Sequence, residues 1–251
     1  CGYVFPRFCK ACIHGWYQNA GLCIVNDTIP VVTIDGPSGT GKGTIAQKLA
    51  KTLQWHLLDS GALYRLVGTG AAKENIIFSN INMLRDFALN MEVHFSRLFD
   101  GSIELNGEEI SGLIRQESSG DLASQVAAIP EVRAALFERQ LAFRQEPGLV
   151  ADGRDMGTVV FPDAIQKYFL TASLEERGQR RYKQLINKGL NVNLRDLLLD
   201  IQARDERDSH RTISPLVPAE DAILIDTTEL SIDQVFEKVL SATRKALKSD
   251  S

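Results

Sequence analysis

Beyond Cys23 the chain contains no cysteine: all four, Cys1, Cys9, Cys12 and Cys23, stand at the start of a 251-residue sequence. A disulfide scaffold is thereby excluded for the body, and a thiol-free body fits a reducing compartment such as the cytoplasm. No apolar run approaches the roughly 18–20 residues that a membrane-spanning helix needs, so no membrane partner is expected. Nor does an uninterrupted apolar stretch of roughly 7–15 residues follow the first basic residues, as a secretory signal would require. An excess of positive charge is lacking too: 28 Lys and Arg face 32 Asp and Glu, a net charge of −4. That argues against an extended nucleic-acid surface. With 44% apolar and 24% charged residues, the composition is neither collagen-like nor disordered but globular.

Residues 1–26 hold no Asp or Glu, yet carry Tyr3, Phe5, Phe8, Trp16 and Tyr17. Cys9 and Cys12, with His14 and Cys23, offer zinc-type ligands, but a second paired knuckle is missing. The segment is therefore expected to be an N-terminal extension outside the fold, which should occupy 27–248.

The body alternates between two periodicities. Short apolar runs at Val31–Ile34, Trp55–Leu58, Leu149–Ala151, Lys167–Leu170 and Ala222–Asp226 predict strands. Helical spacing predicts helices beginning near Ile45 and Ala62, over 80–89, over 120–145 with a break at Pro130, and over 174–187, 194–209 and 232–247. Strands that are apolar throughout and alternate with helices imply a parallel central sheet flanked by helices, a three-layer α/β fold. Residues 76–118 depart from this: three short β runs are separated by Asp100-Gly101 and Asn106-Gly107, both type I′ hairpin signals. They predict an antiparallel meander in a small inserted subdomain.

Between the first strand and the first helix lies Gly36-Pro37-Ser38-Gly39-Thr40-Gly41-Lys42, a G-x-x-x-x-G-K phosphate loop. Its glycines let backbone N–H groups converge on phosphate oxygens, the helix N-terminus adds a favourable dipole, and Lys42 reaches the β- and γ-phosphates. Where the consensus has a Ser or Thr that ligates magnesium, the chain has Gly43, with Thr44 one place later. Mg²⁺ is then expected to be held by phosphates and water. Asp35 and Asp152 end apolar strands and could each orient magnesium-bound water; for Asp35 helix capping is the equal alternative. A guanine-reading N/T-K-x-D element is absent, since Asn187-Lys188-Gly189-Leu190 lacks the Asp.

Arginines gather in the second half: Arg154 follows the third long strand, and Arg177, Arg180, Arg181, Arg204, Arg207 and Arg211 populate the late helices at three-and-four spacing. A kinase whose donor and acceptor both carry phosphate needs such cations.

The phosphate loop through Thr44, the run Leu58–Arg65 (LDSGALYR), the run Ser124–Ala128 (SQVAA), the run Ala151–Pro162 (ADGRDMGTVVFP) and the run Arg204–Arg211 (RDERDSHR) together resemble bacterial cytidylate kinases. The resemblance runs in order from about Val31 to Leu247. It implies transfer of the γ-phosphoryl group of ATP to CMP or dCMP, with Gly36, Pro37, Ser38, Gly39, Thr40, Gly41, Lys42, Gly43 and Thr44 on the ATP phosphates. It further implies Arg65, Arg154 and Arg211 on the acceptor phosphate with Ser60 and Asp155 beside them, Ser124 and Arg133 on the cytosine edge, and Asp208 on the sugar. Lys42, Arg154, Arg181 and Arg204 would be the catalytic cations, and the helices over about 174–211 a lid. A cytoplasmic monomer is expected. The competing readings are a kinase of AMP or UMP and a non-catalytic nucleotide-binding module.

Overall fold

The computed structural model describes residues 29–95, 102–187 and 189–249. The opening segment 1–26, the Asp100-Gly101 turn and Lys188 lie outside them. Gly61–Arg139 form one compact unit, and the described segments on either side form the other.

The flanking unit is built on a five-stranded sheet in the order β2-β6-β1-β7-β8. Its strands are β1 (Val31–Asp35), β2 (His56–Asp59), β6 (Leu149–Gly153), β7 (Gln166–Thr171) and β8 (Ile223–Asp226). Every pairing is parallel. This is the parallel sheet that the apolar runs predict. Val32 and Ile34 of β1 point into a dry cluster with Ile45, Leu49, Val235 and Val239, so helices α1 (Lys42–Leu53) and α9 (Ile232–Ser249) cover that face. The alternate residues Thr33 and Asp35 point the other way.

There they meet a feature that the sequence does not announce. Met156–Val160 form a short π-helical turn, with Val160 N bonded to Asp155 O at 3.2 Å and Phe161 N to Met156 O at 2.7 Å. Helices α7 (Leu174–Asn187) and α8 (Leu194–Ser209) follow β7. Gly189, at φ +76°, ends α7 by letting Leu190 N reach Leu185 O at 3.1 Å.

The other unit contains most of α2 (Ser60–Lys73), then α3 (Ile81–Asn90) and the antiparallel sheet β3-β4-β5 (Val93–Phe95, Ile103–Leu105, Glu108–Glu109). Asn106 and Gly107, at φ +52° and +81°, make the expected I′ turn. Helices α4 (Ser111–Ile114), α5 (Glu117–Ala127) and α6 (Pro130–Leu141) complete the described elements there. Arg139 is buried and donates from Nη2 to the carbonyls of Leu89 and Met91, both at 2.8 Å, closing the end of α3. Relative to the sequence expectation, α2 starts two residues early, α5 starts at Glu117, and α4 is additional.

Candidate active site

The loop from Gly36 to Gly41 connects the end of β1 to α1. Gly39 and Gly41 adopt φ +82° and +89°, which a side chain would strain. Gly41 caps α1 without a side-chain hydrogen bond, leaving the first amides of the helix to an anion. Within the loop, Thr40 Oγ1 donates to Pro37 O at 3.1 Å and Lys42 Nζ to the same oxygen at 3.2 Å. Lys42 is half-buried rather than exposed. Burial first, and then the nearby Arg154, push its ammonium down to about 7 against the pull of Asp152. A cation so short of compensation is poised for incoming phosphate charge.

Gly43 has a spatial explanation. A Cβ there would stand 3.1 Å from Oδ2 of Asp152, so the carboxylate occupies the side on which a consensus Ser or Thr would project. Asp152 is buried near the end of β6, level with Ile34 of the neighbouring β1. Asp35 behaves differently. Its Oδ1 accepts from Met156 N at 2.9 Å and its Oδ2 from Gly157 N at 2.8 Å. Both oxygens thus hold the π-helical turn, a backbone-capping role of the kind weighed for this side chain. Burial nevertheless raises its carboxyl to about 7.

Arg154 follows β6, and its Nε donates to Oδ2 of Asp208 in α8 at 2.8 Å. Burial pushes the Asp208 carboxyl up, but Arg154, then Arg204 and Arg211, reverse this and hold it below the usual carboxylate range. Residues 154, 204, 208 and 211, far apart in sequence, therefore share one electrostatic neighbourhood, and Lys42 feels Arg154 and Arg204 as well. Ser60 and Asp155 are both buried, and Oγ of Ser60 lies 2.8 Å from where a Cβ on Gly153 would be.

Two arginines need correction. Helical spacing groups Arg177 and Arg180 with Arg181 as phosphate cations, yet both are committed to the protein itself. Arg177 pairs with Asp205 at 2.6 Å and donates to Ser38 O at 3.2 Å. Arg180 binds Glu176 at 2.8 Å, Thr227 O at 2.5 Å and Thr40 O at 3.5 Å. Arg181, half-buried, is turned to Gln184 Oε1 at 3.1 Å.

The cytidylate kinase family model matches residues 32–245. The chain belongs to the cytidylate kinase family. A cytidylate kinase of Pseudomonas fluorescens is 56% identical over 220 residues, covering 86% of this chain and 96% of that protein. One from Salmonella typhimurium is 53% identical over 220 residues, covering 87% and 96%. Among solved structures, a shikimate kinase from Bacteroides thetaiotaomicron aligns with a TM-score of 0.42 at 12% identity, over 87% of this chain and 98% of that one. That likeness is too low to bear on the site.

The remaining residues that resemblance to cytidylate kinases singles out, Arg65, Ser124 and Arg133, belong to the unit Gly61–Arg139. Spacing alone would leave Ser124 and Arg133 on ordinary helix surface. Instead Ser124 is 3% and Arg133 8% exposed. The Arg133 guanidinium lies 5.7 Å from the ring centre of Tyr64, and its Nη1 donates to Ala127 O at 3.4 Å.

Proposed function

We propose that this member of the cytidylate kinase family transfers the γ-phosphoryl group of ATP to CMP or dCMP, giving ADP and CDP or dCDP, in the cytoplasm. The observation that carries the reading is the clustering of Lys42, Arg154, Arg204, Asp152 and Asp208 around one phosphate loop. An oxygen of the acceptor phosphate attacks the γ-phosphorus, and the bond to the β,γ-bridging oxygen breaks. The acceptor is already ionised, so no general base is needed, and the protein contributes positioning and charge. Lys42 neutralises the donor phosphates, Arg154 and Arg65 the acceptor phosphate together with Arg211 and Ser60, and Arg181 and Arg204 the group in flight. Asp208 addresses the sugar, Ser124 and Arg133 the base, and Asp155 supports the acceptor.

Mg²⁺ fits the donor set. Asp152 supplies one hard carboxylate beside the loop. Among the described residues no group of three or more His, Cys, Asp or Glu side chains is arranged to hold a metal by itself. Most ligands then fall to phosphate and water, as magnesium prefers. When bound, the ion offsets charge on the β- and γ-phosphates. ADP release measured with CMP, dCMP, UMP and AMP side by side tests the assignment. CMP and dCMP should exceed the other two; AMP or UMP matching CMP would overturn the specificity, and no ADP with any of them would leave a binding module.

A further inference from the structure

The phosphate loop is held from behind. Thr227, immediately after β8, is 1% exposed. Its Oγ1 has both the Thr40 carbonyl, at 3.1 Å, and the Thr171 carbonyl, at 2.9 Å, within donating distance and shares its one proton between them, while accepting from Arg180 Nη1 at 3.0 Å. Arg180 in turn is fixed by Glu176 and by the Thr227 carbonyl. Its Nη1 also approaches Thr40 O at 3.5 Å.

A trans peptide sets the C=O and N–H of one linkage on opposite sides. Holding the Thr40 carbonyl toward Thr227 therefore turns the Gly41 N–H the other way, away from Thr227. Gly41, at φ +89°, has no side chain to impose that orientation. Without an outside anchor the linkage between Thr40 and Gly41 would be free to rotate as a unit.

We propose that Thr227 and Arg180 are positioning residues for the phosphate loop. Acting through the Thr40 carbonyl, they aim the Gly41 amide at the donor phosphates and so set the affinity for ATP without touching it. The inference rests on the reading of residues 36–44 as the ATP-phosphate cradle. It also fixes the root of α7: any closing movement of the late helices has to begin beyond Arg180, because Arg177 and Arg180 bind the loop backbone.

The test uses the full chain with Thr227→Val, Thr227→Ser and Arg180→Lys, measuring ATP affinity by calorimetry, KM for CMP at saturating ATP, and melting temperature. Thr227→Val keeps the shape and removes the hydroxyl, and should weaken ATP about tenfold while KM for CMP stays within about twofold. Thr227→Ser restores the hydroxyl and should return ATP affinity to near the parent value. Arg180→Lys, which keeps charge but loses the fork, should again weaken ATP selectively and serves if the valine variant does not fold. Unchanged ATP affinity in Thr227→Val and Arg180→Lys, or equal weakening of ATP and CMP, would overturn the proposal. A parent protein that binds no ATP would overturn the cradle reading and this inference together, which separates the two failures.

Discussion

Asp152 Oδ2 stands 3.1 Å from the point where a Cβ on Gly43 would lie, so a carboxylate fills the side of the helix start that most phosphate loops give to a hydroxyl. Restoring the consensus should therefore harm the enzyme. Gly43→Ser should displace the carboxylate and lower kcat by roughly tenfold or more. Asp152→Asn should raise the Mg²⁺ concentration needed for half-maximal turnover. If Gly43→Ser turns over as the parent does, Asp152 has no part in holding the ion.

Lys42 carries an ammonium lowered from 10.5 to about 7, first by burial. Between those values the unfolded chain binds a proton that the folded chain does not, so this group makes stability rise with pH from about 7 to about 10, and below 7 its full cost is present. Lys42→Met should melt no lower than the parent at pH 7, with the difference shrinking above pH 9, while turnover falls by roughly a hundredfold to a thousandfold. A variant that melts well below the parent would make the lysine structural.

Asp35 gives the opposite slope. Its folded carboxyl is raised from 3.8 to about 7, so between those values the folded chain holds the extra proton and stability falls as pH rises through that window. The change should be on the order of 3–4 kcal/mol. Unfolding by urea from pH 4.5 to 7.5 should show this slope in the parent and lose it in Asp35→Asn. Parallel curves for the two proteins would show that Asp35 does not titrate there. Asp208, held low, acts only below this range.

Arg181 and Arg65 should divide along the reaction. Arg181 follows the anchored arginines on α7, where it is half-buried and bonded to Gln184. Arg181→Ala should lower kcat far more than it weakens CMP, because a contact made on closure acts mainly in the transition state. Arg65→Ala should chiefly weaken CMP, by about 2–5 kcal/mol for a desolvated charge partner. Proportional changes in binding and turnover for both variants would remove the distinction.

Local chemistry accounts for what could be read in the chain. Val31–Ile34 is β-branched throughout and buried, as a central strand covered on both faces requires, and Asn106-Gly107 dictates its own turn. The phosphate loop is legible because it is contiguous. The π-helical turn is not, since it depends on a carboxylate from Asp35, more than a hundred residues earlier in the chain. Helical spacing puts Arg177, Arg180 and Arg181 close together, yet says nothing of what that face packs against. Two of the three hold carbonyls, a role that only the fold assigns. Gly43 is visible as a departure from consensus, but its reason, Asp152, requires the pairing of β1 with β6.

The central place of β1 also bears on how the protein is made. Val31 pairs with Leu149 and Val32 with Gln166, so the strand that opens the fold finds neither neighbour until well over half of the polypeptide has left the ribosome. Thr227, which steadies the loop beside it, arrives later still. A nascent chain thus carries an apolar, edge-exposed segment through most of its synthesis, the kind of species that invites misassociation. Ribosomes stalled before residue 149 should hold a chain unable to retain ATP, however complete its phosphate-loop sequence.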